Sequence, residues 1–260
     1  MWQTGAPLQV VIAGVTLEAR CWGPPPDQAA TLVLMHEGLG CVSLWRDFPV
    51  KLAKATGLGV FAYSRQGYGK SDPAVLPRAI DYMTVEALEV LPRVLDHIGF
   101  QQGFLVGHSD GASIAAIYGG LVADHRVKGL CLIAPHFFTE RDGLLAIVAA
   151  KTAYENTDLK VRLGRHHNDP DATFLGWNDA WMNPDFAAWN IVHVIGGIIA
   201  PVLAIQGRQD QYGSMAQLDG LEAGLTGNFQ RLELAECQHA PQLESPVQTL
   251  EAIGNFIKDA

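Results

Sequence analysis

Phe104-Leu105-Val106-Gly107-His108-Ser109-Asp110-Gly111-Ala112 is the stretch on which the reading of this chain turns. The apolar run at its start reads as a buried strand, and the small, helix-favouring residues Ala112 to Ala116 read as the beginning of a helix. Ser109 therefore stands where a strand turns sharply into a helix, the Gly-x-Ser-x-Gly elbow. The flanking glycines let two backbone segments approach closely, while the turn forces the middle residue into strained dihedrals and lifts its hydroxyl clear of the sheet. A serine presented in this way is placed to attack a carbonyl. The bare pentapeptide also suits an ordinary strand-to-helix turn, so its chemical meaning depends on partners elsewhere in the chain.

A serine hydroxyl is a weak nucleophile near neutral pH unless an imidazole takes its proton, and that imidazole needs a carboxylate to fix its tautomer and orientation. Pro201-Val202-Leu203-Ala204-Ile205 reads as a buried strand, and the polar loop Gln206-Gly207-Arg208-Gln209-Asp210 delivers Asp210 beyond its end. After an amphipathic helix near Met215 to Leu225 and a strand around Arg231 to Leu234 comes Cys237-Gln238-His239-Ala240-Pro241. The catalytic candidates are thus Ser109 as nucleophile, Asp210 as acid and His239 as base, in that order along the chain.

This order, its spacing and its strand context resemble the α/β-hydrolase family across nearly the whole chain. His36-Glu37-Gly38-Leu39-Gly40, after the apolar Thr31 to Met35, resembles the family's His-Gly oxyanion loop. Ser64-Arg65-Gln66-Gly67-Tyr68-Gly69-Lys70-Ser71 resembles its Gly-rich segment after the following strand. The resemblance implies that the backbone NH groups of Gly38 and Asp110 face the developing oxyanion, donors worth about 3 to 4 kcal/mol each in well-studied hydrolases. Glu37 departs from the pattern, since Gly is usual there. It reads either as a solvated loop carboxylate or as a charge that hinders anionic substrates.

Along the chain, a strand pair over Leu8 to Val15 and Leu17 to Trp22, joined by a turn at Gly14, precedes alternating strands and helices. Trp45 to Ala55 suits a helix and Val60 to Tyr63 a strand. Leu88, Leu91, Leu95 and Ile98 lie at helical spacing, with Thr84 as N-cap and a kink expected at Pro92. Val127 to Ala134 is another strand, and Leu250, Ile253 and Ile257 form the inner stripe of a final helix. Alternating βα units with continuously apolar strands predict an α/β fold: a mainly parallel, twisted sheet of about eight strands with helices on both faces. Ligands in such sheets sit beyond the strands' C-terminal ends, where Ser109, Asp210, His239 and Gly38 all fall.

Residues 136–197 break the alternation, and the resemblance makes them a helical cap inserted after the sixth strand into a core domain of residues 1–135 and 198–260. This segment holds Phe137, Phe138, Tyr154, Phe174, Trp177, Trp181, Phe186 and Trp189. The rings imply an apolar pocket that accepts a ring or an acyl chain, or else a packing seam that holds the cap down. Glu37, Leu39, His108, Phe137, Phe138, Trp177 and Trp181 are the substrate-binding candidates.

Composition narrows the function. A chain of 260 residues with 48% apolar content buries one large core, and a formal charge of −9 argues against a nucleic-acid surface. No apolar run reaches the ~18 residues of a membrane span, and the N-terminus lacks the basic start and apolar stretch of a secretory signal, so the protein is read as cytoplasmic. Cys21, Cys41, Cys131 and Cys237 are scattered and read as buried free thiols. His166-His167-Asn168-Asp169-Pro170-Asp171 places no i, i+4 pair on a helix and reads as a solvated cap loop rather than a metal site. Gly67-Tyr68-Gly69-Lys70-Ser71 lacks the first glycine and the following helix of a phosphate-binding loop. No metal or cofactor is expected, and the partner is a small-molecule ester met by a monomer or homodimer.

The expected chemistry is two-step acyl transfer by a serine carboxylesterase acting on small to medium apolar or aromatic esters. A second reading is hydrolysis of a carbon-carbon bond in vinylogous diketones from aromatic-ring fission. That reaction needs a cation for the substrate carboxylate, for which Arg162 and Arg165 are candidates. A third reading, of another class, is a ligand-binding receptor that keeps the hydrolase shell without useful turnover.

Overall fold

The computed structural model describes residues 2–260, which form one eight-stranded sheet in the order β1-β2-β4-β3-β5-β6-β7-β8. The strands are β1 (Pro7–Ile12), β2 (Val15–Trp22), β3 (Thr31–Met35), β4 (Gly59–Tyr63), β5 (Gly103–His108), β6 (Val127–Ile133), β7 (Val202–Gly207) and β8 (Phe229–Leu234). β1 and β2 form a hairpin about Ala13 and Gly14, both at positive φ, the geometry a two-residue hairpin turn requires. β2 joins β4 antiparallel, and every pairing from β4 through β8 is parallel.

β3, β4, β5 and β7 are buried along their whole length, as strands covered on both faces must be. Side chains alternate between two cores. Val33 and Met35 of β3 enter one with Leu91, Leu95 and Ile117; Leu32 and Leu34 enter the other with Phe48, Leu52, Ile253 and Phe256. The helices are α1 (Phe48–Thr56), α2 (Tyr82–Val85), α3 (Leu91–His97), α4 (Asp110–Leu121), α5 (Arg141–Asn156), α6 (Leu159–Leu163), α7 (Pro170–Trp181), α8 (Ala216–Gly224), α9 (Pro241–Glu244) and α10 (Pro246–Asp259), of which α5, α6 and α7 pack chiefly on one another.

One helix differs from its sequence reading. It starts at Tyr82, so Thr84 lies inside it rather than capping it, and a π-turn over Glu86–Val90 separates α2 from α3. The wider turn lies just ahead of Pro92, whose ring would otherwise meet the carbonyl four residues before it. It also rotates Leu88 outward, to 38% exposure, while Leu91 and Leu95 stay buried. On α10 the inner stripe is completed by Thr249 and Phe256.

Two glycines set the strand-to-helix turn that positions the site. A side chain at Gly107 would strike the Gly111 carbonyl, and one at Gly111 would strike the carbonyl of Met35 at the end of β3. All four cysteines are buried and unpaired. Among the described residues no helix is long and apolar enough to cross a membrane, and no group of His, Cys, Asp and Glu is assembled to hold a metal ion.

Candidate active site

Ser109, between β5 and α4, has φ 53° and ψ −117°, a conformation rarely adopted by residues other than glycine. It is held by the Ser109 NH on the Ile133 carbonyl (2.9 Å) and by the Ser109 carbonyl, which accepts from Ala112 and Ser113 at the first turn of α4. The side chain thereby faces a cavity of about 140 Å³ lined by Glu37, Gly38, Leu39, Ser109, Asp110, His136, Gly143, Ile147, Trp177, Trp181, Tyr212 and His239.

The loop after β7 brings Asp210 to His239, with Oδ2 2.8 Å from Nδ1. Asp210 Oδ2 also accepts from Gln206 Nε2 (2.7 Å), and Oδ1 accepts from the NH groups of Tyr212 (2.8 Å) and Gly213 (3.3 Å). Burial works against the charged carboxylate, but the hydrogen bond and charge of His239 outweigh it and hold the Asp210 pKa below its usual range. With Nδ1 donating to Asp210, the lone pair of His239 lies on Nε2. Among the described residues His239 makes no direct hydrogen bond to the Ser109 hydroxyl; the two line the same cavity, and such bonds commonly tighten when substrate binds.

The loop after β3 is fixed from beneath. His36 Nε2 accepts from the Arg65 NH (3.0 Å), so its Nδ1 carries hydrogen and donates to the Glu37 carbonyl (2.7 Å). Arg65, itself buried, donates to the carbonyls of His36 (2.7 Å) and Glu37 (3.1 Å). Because a trans peptide points its C=O and N–H in opposite directions, anchoring the Glu37 carbonyl below turns the Gly38 NH upward, away from Arg65. The Asp110 NH, at the start of α4, has no intrahelical acceptor.

Glu37 is 28% exposed and pairs with the buried His108, with Oε2 3.3 Å from Nδ1. Burial disfavours both charges, yet their mutual hydrogen bond holds Glu37 down at about 2 and His108 above its ordinary value. His108 Nε2 meets the backbone carbonyl of His239 at 2.7 Å. The solvated-carboxylate reading of Glu37 therefore gives way to a paired one at the cavity wall.

A family model for the alpha/beta hydrolase fold matches residues 30–190, more than half of the sequence. The chain belongs to the alpha/beta hydrolase family. This alpha/beta hydrolase is 31% identical over 126 residues to epoxide hydrolase B of Mycobacterium tuberculosis, a match covering 48% of the chain and 34% of that protein. The match thus spans about a third of the curated relative's length. Among solved structures, the enol-lactonase of Burkholderia xenovorans LB400 superposes with a TM-score of 0.75 at 18% identity, covering 96% of this chain and 100% of that one. The 2-hydroxy-6-oxo-6-phenylhexa-2,4-dienoate hydrolase of Rhodococcus sp. strain RHA1 gives 0.79 at 18% identity, covering 97% and 99%. At such identities the likeness is one of fold.

Of the substrate-binding candidates in this hydrolase, Glu37, Leu39, Trp177 and Trp181 line the cavity. His108 stands behind the wall, Phe137 is fully buried in the core, and Phe138 packs beside α8, near Gly220. In the irregular segment after β6, His136 reaches the cavity, while the Phe137 NH donates to Gln217 Oε1 and its ring is buried. His136, Tyr212, Gly143 and Ile147 were missed. Two of them had a signal: His136 follows β6, and Tyr212 follows Asp210 after β7, both at C-terminal strand ends.

The reading of residues 166–171 as a solvated loop also needs correction. His167 is buried, accepts from the Gly69 NH at Nδ1 (2.8 Å) and donates from Nε2 to the Leu39 carbonyl (3.1 Å). Arg162 and Arg165 are exposed, and Arg162 pairs with Asp158; neither lines the cavity.

Proposed function

We propose that this hydrolase cleaves carboxylic esters of small substrates with an apolar or aromatic body, through an acyl-enzyme intermediate on Ser109. The observation that carries this reading is the Asp210–His239 hydrogen bond at the wall of a cavity that the strained Ser109 also lines. His239 Nε2 takes the Ser109 proton as Oγ bonds to the ester carbonyl carbon, and the oxyanion rests on the NH groups of Gly38 and Asp110. The tetrahedral intermediate collapses, the C–O bond to the alcohol breaks, and His239 returns the proton to the departing oxygen. Water, deprotonated by His239, then attacks the acyl carbon and releases the acid and Ser109. Residues 136–197 act in this reading as a cap over a core of residues 1–135 and 198–260.

Serine at the elbow favours ester over epoxide chemistry. Opening an epoxide with a serine oxygen would leave an ether on the enzyme, which has no carbonyl for water to attack, so the cycle could not close. The carbon-carbon reading is disfavoured because its substrate carboxylate would meet Glu37 and Asp110 with no Lys or Arg on the wall. A volume near 140 Å³, about that of an engineered cavity that accepts benzene, suits one small ring or a short acyl chain.

The test is a panel of activated p-nitrophenyl esters run on wild type and Ser109→Ala, with mass spectrometry of the acylated peptide. Turnover in wild type, its loss in the variant and a covalent adduct on Ser109 are expected. Absence of both hydrolysis and adduct would overturn the reading.

A further inference from the structure

The buried imidazole of His108 meets segments that the ester mechanism must hold in register. His108 ends β5 immediately before Ser109. Its Nε2 lies 2.7 Å from the backbone carbonyl of His239, and its Nδ1 lies 3.3 Å from Oε2 of Glu37, the residue before Gly38. The ring thus joins the neighbour of the nucleophile, the peptide of the base and the neighbour of an oxyanion donor. The Glu37 carboxylate is folded back over Gly40, where any side chain would strike it, and this turns it toward His108.

Hydrogen bonding fixes the charge of this ring. A carbonyl only accepts, so Nε2 donates to His239. A bare Nδ1 would turn its lone pair on the Glu37 carboxylate, and Gln242, whose Nε2 stands 3.0 Å from Nδ1, would keep its Oε1 buried and unpaired. Hydrogen on Nδ1 makes the Glu37 contact attractive, and a half-turn of the Gln242 amide brings Oε1 to the same hydrogen. Both ring nitrogens then donate, which makes the ring an imidazolium. Burial opposes that charge, but Glu37, the His239 carbonyl and the charge of Asp210 outweigh it. Trp45 and His239 pack on the ring, with centroids 6.4 and 5.1 Å away.

The loop that carries His239 shows what the ring holds. The Gln209 NH donates to the Cys237 carbonyl (2.9 Å), and the Glu244 carboxylate accepts from the NH groups of Gln238 (2.7 Å) and Ala240 (2.9 Å). Glu244 belongs to α9, directly after the loop, and travels with it. His108 reaches the His239 peptide from 131 residues away, on the strand that ends in Ser109. Asp210 sets how the His239 ring is turned, whereas His108 sets where its backbone stands. Resting on the ester-hydrolase reading, we infer that His108 is a positioning residue whose imidazolium fixes the His239 backbone against the Ser109 elbow and ties both to the oxyanion loop through Glu37. His108 does not line the cavity, so its effect falls on kcat rather than KM.

Two substitutions divide the contacts. Asn carries its amide nitrogen at the δ position and keeps a donor for Glu37, whereas Gln carries it at ε and keeps a donor for the His239 carbonyl. In hydrolysis of p-nitrophenyl butyrate, with active sites counted by a fluorophosphonate, kcat should fall by about tenfold or more in His108→Asn and by about threefold at most in His108→Gln, with KM within about twofold in both. Equal losses in the two variants, or a loss carried by KM, would overturn the inference. A second readout needs no turnover. In NMR of protein carrying nitrogen-labelled histidine, the signals missing from His108→Gln should titrate above pH 6.5 in wild type, with both ring nitrogens protonated below that point, and should titrate lower in Glu37→Gln. A His108 that stays singly protonated at pH 6.5, or that ignores Glu37→Gln, would also overturn the inference. A wild type without ester turnover would overturn the ester reading, and the NMR titration would then decide the His108 tie by itself.

Discussion

Ser109 concentrates strain at one residue, because φ 53° with ψ −117° places its Cβ against its own backbone. Glycine has no Cβ to clash there, so Ser109→Gly should be more stable than Ser109→Ala by about 1 kcal/mol, although both lack the hydroxyl. Urea unfolding of the two variants measures this; equal midpoints would contradict it. Asp210→Asn keeps the size of the side chain but removes the charge that fixes His239 with its lone pair on Nε2. It should lower kcat on activated esters by about three to four orders of magnitude, with little change in KM. The positions of Ser109 and Asp210 were legible because each follows an apolar strand at a polar or glycine-bounded turn, and that of His239 because it lies in the loop after the last strand. His136 on the wall was hidden, since nothing local shows which side chains distant in sequence meet at the cavity.

At the scale of elements, the segment between β6 and β7 is fastened by side chains distant in sequence. His167 joins Gly69 to Leu39, Thr173 Oγ1 donates to the Gly67 carbonyl (2.8 Å), and Trp181 Nε1 donates to the Tyr82 hydroxyl (3.1 Å). Burial pushes the His167 pKa below 6.5, and protonation would turn Nδ1 from acceptor into donor facing the Gly69 NH. The clasp is therefore complete above pH 6.5 and is lost as pH falls through the lowered folded value. His167→Ala should weaken it by about 1 to 3 kcal/mol and raise hydrogen exchange across α6 and α7 at pH 7.5, a rise that wild type should show only on acidification. Unchanged exchange in the variant would contradict the clasp. At the elbow, Gly111→Ala drives a methyl into the Met35 carbonyl and should cost several kcal/mol, read as a lowered melting temperature or loss of soluble protein. The central strands β3, β4, β5 and β7 were legible from their apolar runs, which two-sided burial demands. The π-turn ahead of Pro92 was not, since helical spacing alone does not reveal where a helix widens.

For the molecule as a whole, buried imidazoles govern the response to acid. His36, His136 and His167 all have pKa values lowered chiefly by burial, whereas Glu37 holds that of His108 up. The first three stay neutral when folded and take protons near pH 6.5 on unfolding, so the unfolded chain binds more protons and stability falls as pH drops below 6.5. Each contributes at most about 1.4 kcal/mol per pH unit, three against the opposing effects of His108, which strengthens the fold below pH 6.5 and fades as pH rises through its folded value, and of Glu86, whose carboxyl pKa is raised by burial so that the folded chain holds its proton more tightly as pH falls. Urea midpoints should therefore fall between pH 7.5 and 5.5; a flat or rising profile would contradict this balance. What the sequence by itself determined was the βα alternation, the largely parallel sheet and the strand-to-helix elbow at Ser109. Each is written in contiguous residues, through apolar periodicity and the glycines a sharp turn needs. Only the tertiary structure decided that Arg65 steers the Gly38 peptide and that His108 meets the His239 carbonyl across 131 residues. Those outcomes depend on which side chains fill the space between distant segments, and close packing fixes that only when the whole chain has folded.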